Sequence, residues 1–156
     1  MSKKELLEEF ERKFSELKTK IKFKPTLDDL DRIFFVKDGV LKDNFVSDNT
    51  LRQISKRIID NYMGWNDYLY SLIMPNPQNI LNVSESKIFT KEEKESIMKL
   101  IQKIMELISR SNLVILTNDD KIGSKFIDDS VHFWDTQLKN NLIKTMSKVN
   151  SEWGRS

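Results

Sequence analysis

The chain contains no cysteine and no alanine, one histidine, four glycines and three prolines in 156 residues. Without cysteine there can be no disulfide, thiolate nucleophile, iron–sulfur cluster or cysteine-ligated zinc, and the composition suits a reducing compartment. The glycines, at 39, 64, 123 and 154, are scattered, so neither a phosphate-binding loop nor a dinucleotide fingerprint is present. No nucleophile-elbow pattern accompanies the lone histidine, which leaves a serine–histidine–acid triad without support. The lack of alanine means that helix interfaces must be built from Leu, Ile, Phe and Met, which hold helices toward the wide end of the usual ~8–10 Å spacing.

No uninterrupted apolar run approaches the ~18 residues of a membrane span, and the N-terminus leads directly into a charged segment. These features point to a cytoplasmic protein without a membrane partner. Lys plus Arg number 26 and Asp plus Glu 24, a net charge of +2 with the signs interspersed. Such a balance argues for an ordinary solvated surface rather than a dedicated polyanion binder.

What is present is helical periodicity. Thr90 and Glu93 form a capping box that starts a helix at Lys91. Ile97, Leu100, Ile101, Ile104, Met105, Leu107 and Ile108 then recur at steps of three and four. That stripe cannot be left in water, so the rest of the chain must cover it. A first helix over Lys3 to Lys22 carries Leu6, Leu7, Phe10, Phe14, Leu17 and Ile21, and Pro25 stops it. Thr26 with Asp29 reads as a second cap opening a short helix, followed by an irregular connection. The Asp38-Gly39 pair leaves a hairpin as the competing reading of residues 33–41. Thr50 to Met74 forms helix 2 around Leu51, Ile54, Ile58, Tyr62, Trp65, Leu69 and Leu72, ended by Pro75 and Pro77. Gly64 in its interior costs about 1 kcal/mol relative to alanine, unless a neighbour approaches closely there.

Gln78 to Phe89 is expected to cross an end of the structure with Ile80, Leu81, Val83, Ile88 and Phe89 partly buried. Leu113 to Leu116 reads either as the last buried turn of helix 3 or as a short extended piece. Helix 4 follows with Ile122, Phe126, Ile127, Val131, Trp134, Leu138, Leu142, Met146, Val149 and Trp153, and residues 154–156 form a frayed tail. The expected fold is an all-α, single-domain bundle over residues 1–153, with four main helices and one or two short segments between helices 1 and 2.

Three clusters could carry function. Trp65, Tyr68 and Tyr70 with Asp67 make the densest aromatic and polar patch, of the kind that anchors interfaces through large contact area plus a hydrogen bond. Met63, Met74, Met98 and Met105 would add adaptable surface if they lie nearby. Lys18, Lys20, Lys22 and Lys24 form the one basic run and could contact nucleic-acid phosphates, although a helix C-terminus favours cations anyway. Asp128, His132 and Asp135 share a helical face and could begin a metal-dependent active site, but no second histidine exists to complete one. No cofactor is implied. The sequence therefore points first to a non-catalytic helical interaction module that binds another protein or itself as a homodimer. Helix 1 is the expected detachable element, and a nucleic-acid binder and a metal-dependent enzyme are the alternatives.

Overall fold

The computed structural model describes residues 1–155 and is all-helical, with no strand among them. Its elements are α1 (Lys3–Ile21), α2 (Leu27–Phe34), α3 (Val36–Asp43), α4 (Thr50–Ile73), α5 (Ile80–Ser86), α6 (Lys91–Thr117), α7 (Asp120–Phe133) and α8 (Lys139–Trp153). A π-helical segment, Trp134–Leu138, follows α7 and leads into α8 without a break in the helical run, so the described residues form seven continuous helical segments. No described helix is long and apolar enough to cross a membrane.

Local chemistry explains the boundaries. Ser2 and Glu5, Thr26 and Asp29, and Thr90 and Glu93 each form a reciprocal capping box at the start of α1, α2 and α6. Asn49 and Asp119 accept from the first-turn N–H groups of α4 and α7. Lys22, Phe35, Asn44 and Asn118 end helices in the left-handed region.

The chain divides into two compact units. The first comprises Met1–Asn61 and Leu107–His132. Its fully buried side chains include Phe10, Leu30, Ile54, Ile58 and Phe126, and Phe14 meets Phe23 edge-on with ring centroids 5.5 Å apart. α1, expected from the sequence to be a detachable element, is packed into this unit. Leu6, Phe10, Phe14 and Ile21 are all buried within this chain, α1 packs on α3, and Lys13 bonds to the Ser47 carbonyl and the Asp48 carboxylate. The second unit comprises Tyr62–Glu106 and the chain from Phe133 onward. Tyr62, Leu69, Leu72, Ile104, Phe133 and Leu138 are its fully buried apolar side chains, with the Tyr62 and Phe133 rings 6.1 Å apart.

Several expectations are corrected. Residues 33–41 form neither a hairpin nor an irregular connection: after the break at Phe35 the chain resumes as α3. Gly39 lies inside that helix, where a Cβ would stand 2.6 Å from Arg57 Cδ; its role is to admit Arg57, not to make a turn. Residues 113–116 remain helical, but Leu113, Ile115 and Leu116 are exposed and only Val114 is buried. Ile80 and Leu81 are exposed too, because α5 turns their side outward and is pinned instead by the Ser86 hydroxyl donating to the Leu72 carbonyl at 2.7 Å. Along α7, the π segment and α8 the buried positions include Phe126, Ile127, Ser130, Val131 and Phe133, then Leu138, Leu142, Thr145 and Val149. The single step of five falls in the π turn, which absorbs one extra residue and restores the buried face. Phe133 is fully buried, whereas Trp134, expected in the stripe, is half-buried. Beyond α8, Gly154 and Arg155 are exposed and Arg155 pairs with Glu152 at 3.3 Å, while Ser156 lies outside the described residues.

The helical glycines have opposite expected responses. Nothing lies within 4 Å of a Cβ added at Gly64, so no close neighbour explains that residue. Gly64→Ala should raise stability by about 0.5–1 kcal/mol, by removing unfolded-state entropy from an unstrained helical site. At Gly123 a Cβ would stand 2.7 Å from Leu51 Cδ2 in a buried setting, and Gly123→Ala should cost about 1–3 kcal/mol through overpacking. Denaturant midpoints of the two variants check both signs.

Candidate functional site

The aromatic patch lies on the second half of α4, and the structure splits it. Tyr68 is half-buried and donates its hydroxyl to Glu85 Oε1 at 3.1 Å; the other carboxylate oxygen accepts from Trp153 Nε1 at 2.8 Å. Burial, with the Glu85 charge beside it, pushes the Tyr68 phenol up to about 12, so it stays a proton donor at any physiological pH. Trp65 is half-buried as well. Through Glu85, Tyr68 ties α4 to α5 and Trp153 ties the end of α8 to the same carboxylate. Tyr62, deeper in the same helix, has its phenol raised still further by burial and by the charge of Asp135.

Asp67 and Tyr70 face outward, and they have company that the aromatic pattern alone did not reveal. Met63, Asp67 and Tyr70 follow steps of four and three along α4, and Met74, just past its end with its N–H still bonded to the Tyr70 carbonyl, continues the same face. Met63, Tyr70 and Met74 keep between 47 and 60% of their surface exposed. Met105 of α6, also half-exposed, is brought to the edge of this face, where its Sδ lies 3.6 Å from Asn66 Nδ2. Met98 is half-buried and contributes less. The result is a thioether-rich surface with one ring and one carboxylate, set beside the open position at Gly64.

Glu85, which holds Tyr68, and Lys148, which clips α8 to the start of α6, are ordering residues that sequence reasoning missed. Lys148 of α8 bonds to both Glu93 oxygens, at 2.6 and 2.8 Å, and sits 5.2 Å from the Phe89 ring centroid. The Lys148 hydrogen bond, together with the Thr90 backbone N–H, holds the Glu93 carboxyl down at about 2. Because the folded value lies below the ordinary 4.5, this carboxylate contributes stability that is fully present above that pH and is lost as pH falls toward about 2. Thermal midpoints of the wild type should therefore fall more steeply over that window than those of Glu93→Gln. Parallel curves would remove the clip from the account.

The basic run is partly consumed by the fold. Lys18 Nζ donates to the Lys24 and Pro25 carbonyls and lies 5.1 Å from the Phe23 ring centroid, closing the C-terminal end of α1. Lys22 accepts through its carbonyl from the Ser124 hydroxyl, and Lys24 donates its backbone N–H to Asp128 Oδ1 at 2.7 Å. Lys20 Nζ stands 4.0 Å from Asp120. The side chains of Lys20, Lys22 and Lys24 are exposed, and the carboxylates of Asp120 and Asp128 share their surroundings.

The third cluster does not assemble. His132 and Asp135 are exposed, and Asp128 accepts from the Lys24 backbone N–H. Among the described residues no three His, Cys, Asp or Glu side chains come together in a way that could hold a metal ion. The neighbouring Asp129 instead pairs with Arg110 and with Lys125 at 3.1 Å. Burial acts to raise its carboxyl, and the two cations outweigh it and hold it low. No protein-family model, no curated protein and no solved structure matches this chain.

Proposed function

We propose that this chain is a non-catalytic helical interaction module, which uses the Met63–Tyr70–Met74 face of α4 and the adjoining Met105 to bind another protein, a second copy being the first candidate. The observation that carries the reading is the exposure of three thioethers and one phenol around a common face. Exposed methionines supply polarizable contact area that repacks against varied partners, and a tyrosine supplies an anchor with one hydrogen bond. Tyr68 and Trp153, joined through Glu85, serve this face by tying the second half of α4 to α5 and α8. The proposal takes α1, α4, α6 and the α7–α8 rod as the four principal helices of one bundle and one domain. It assigns the protein to the cytoplasm, where a cysteine-free chain meets no redox constraint.

Methionine-methyl NMR tests the reading residue by residue. Raising the concentration from ~10 μM to ~1 mM covers the range in which a modest homodimer forms. The Met63, Met74 and Met105 methyls should shift together over that range while Met98 and Met146 stay fixed. Invariant methyls would rule out self-association through this face.

A further inference from the structure

Within the first unit, the first half of α4 and the last turns of α6 line a cleft of about 410 Å³. That volume falls in the ~300–1,000 Å³ range of small-molecule sites. Its apolar wall is Phe45, Ile59 and Ile115. The wall is preformed: Gln53 donates to the Phe45 carbonyl at 3.0 Å and accepts from the Ser47 N–H at 2.9 Å, holding that loop against α4.

Two observations point to what the cleft takes. The first is Ser55, which lines it and is only 3% exposed, yet whose hydroxyl makes no hydrogen bond to any described residue. Several other helical hydroxyls are bonded: Ser15, Thr19, Ser96 and Thr145 return to the carbonyl one turn back, and Ser86 and Ser124 donate to carbonyls of other segments. Ser55 does not, and a buried unsatisfied hydroxyl is costly unless something polar meets it. The second is charge. Arg52 and Lys56 stand one turn apart on the cleft, and neither is paired with a carboxylate among the described residues. Arg52 also sits in the first turn of α4, which has no acid, against the preference of a helix N-terminus for negative charge. Helix stability therefore does not account for its position.

The polarity is graded along the groove. A smaller recess of about 90 Å³ opens from the same Arg52–Ser55–Ile115 corner and has no acidic lining, its other polar groups being the Asn49 and Asn118 side chains. Asp43 and Asp60 line only the larger cleft, and Asp60 lies one turn beyond Lys56. A corner of cations and a buried hydroxyl thus adjoins an apolar wall, and the acids line the larger cleft but not the recess that opens from that corner.

We infer that this cleft binds a small apolar carboxylate, whose charged end meets Arg52, Lys56 and the Ser55 hydroxyl and whose aromatic or hydrocarbon body lies on Phe45, Ile59 and Ile115. The full chain is titrated with naphthoate and, separately, with the uncharged naphthamide, following backbone amide shifts. Naphthoate should bind saturably at one site, with the largest shifts at Phe45, Ser55 and Ile115. Naphthamide should bind about tenfold more weakly, as expected when a charge-assisted contact is lost. Arg52→Glu with Lys56→Glu should weaken naphthoate by at least about tenfold, and Lys56→Gln alone by less. Ser55→Ala should weaken it several-fold while leaving the melting midpoint unchanged or higher, because the hydroxyl it removes has no partner in the fold. The inference is overturned by the absence of saturable shifts, by equal affinity for acid and amide, by indifference to the Arg52 and Lys56 changes, or by shifts confined to the Met63–Tyr70 face.

Discussion

A chain that begins at Pro25 should not fold cooperatively. It lacks Leu6, Phe10, Phe14 and Ile21, all buried in the first unit, and with them the contacts of Lys13 to Ser47 and Asp48 and the Lys18 staple on the Pro25 carbonyl. Truncating one buried Phe to Ala already costs about 3–5 kcal/mol. Losing four apolar side chains at once therefore exceeds most of the ~5–15 kcal/mol that a domain has. The graded form is Phe10→Ala, which should lower stability by about 3–5 kcal/mol. All three tryptophans, at 65, 134 and 153, lie in the second unit, whereas Phe10 lies in the first. If the chain folds as one domain, the tryptophan-fluorescence melt of Phe10→Ala must shift in step with its far-UV circular dichroism. A truncated chain with a sharp melt and full helicity would return α1 to the status of a detachable arm.

Deleting Gln137 should be tolerated, whereas deleting Asn140 should cost about 2–5 kcal/mol, the range for emptying a buried Leu position. Both residues are exposed, so the difference rests on phase alone. Phe133 and Leu138 are buried five residues apart, and the π turn accommodates the surplus residue. Removing Gln137 leaves a step of four, and the turn can relax to ordinary α geometry with every later position in place. Removing Asn140 offers two outcomes. If the π turn persists, Leu142, Thr145 and Val149 swing by about 100° off the buried face. If it collapses, those three are restored and Leu138 is swung out instead. Equal melting midpoints for the two deletions would contradict this account of the π segment.

These two cases also mark where the sequence could be read and where it could not. The caps at Thr26 and Thr90 were legible because both partners lie within one turn, and local hydrogen-bond geometry decides them. The purpose of Gly39 was not, because what it accommodates is Arg57, on another helix. A fixed helical step placed Trp134 in the buried stripe, whereas Phe133 is the fully buried neighbour and the next buried position, Leu138, follows only after the extra residue of the π turn. In the candidate site, Tyr68 and Tyr70 look equivalent in sequence, but Glu85 draws one inward and leaves the other on the surface. Lys18 reads as a free cation until the chain folds back past Pro25 and presents carbonyls to it. The thioether face needed knowledge of which side α6 and α5 cover, since helical spacing groups Met63, Tyr70 and Met74 without saying whether that side is wet. Ser55, likewise, is one serine among many until burial shows that its hydroxyl lacks the bond its counterparts make.

Absolute mass by light scattering during size exclusion, run on the wild type and on Met63→Lys with Tyr70→Lys, tests the central claim most directly. The account predicts a wild-type mass that rises with loading toward twice the 18.5 kDa of one chain. The doubly charged variant should stay monomeric with an unchanged circular dichroism spectrum, because two lysines must be desolvated to close that face. A wild type that remains at one chain mass at every loading, or a dimer that survives both lysines, would contradict it.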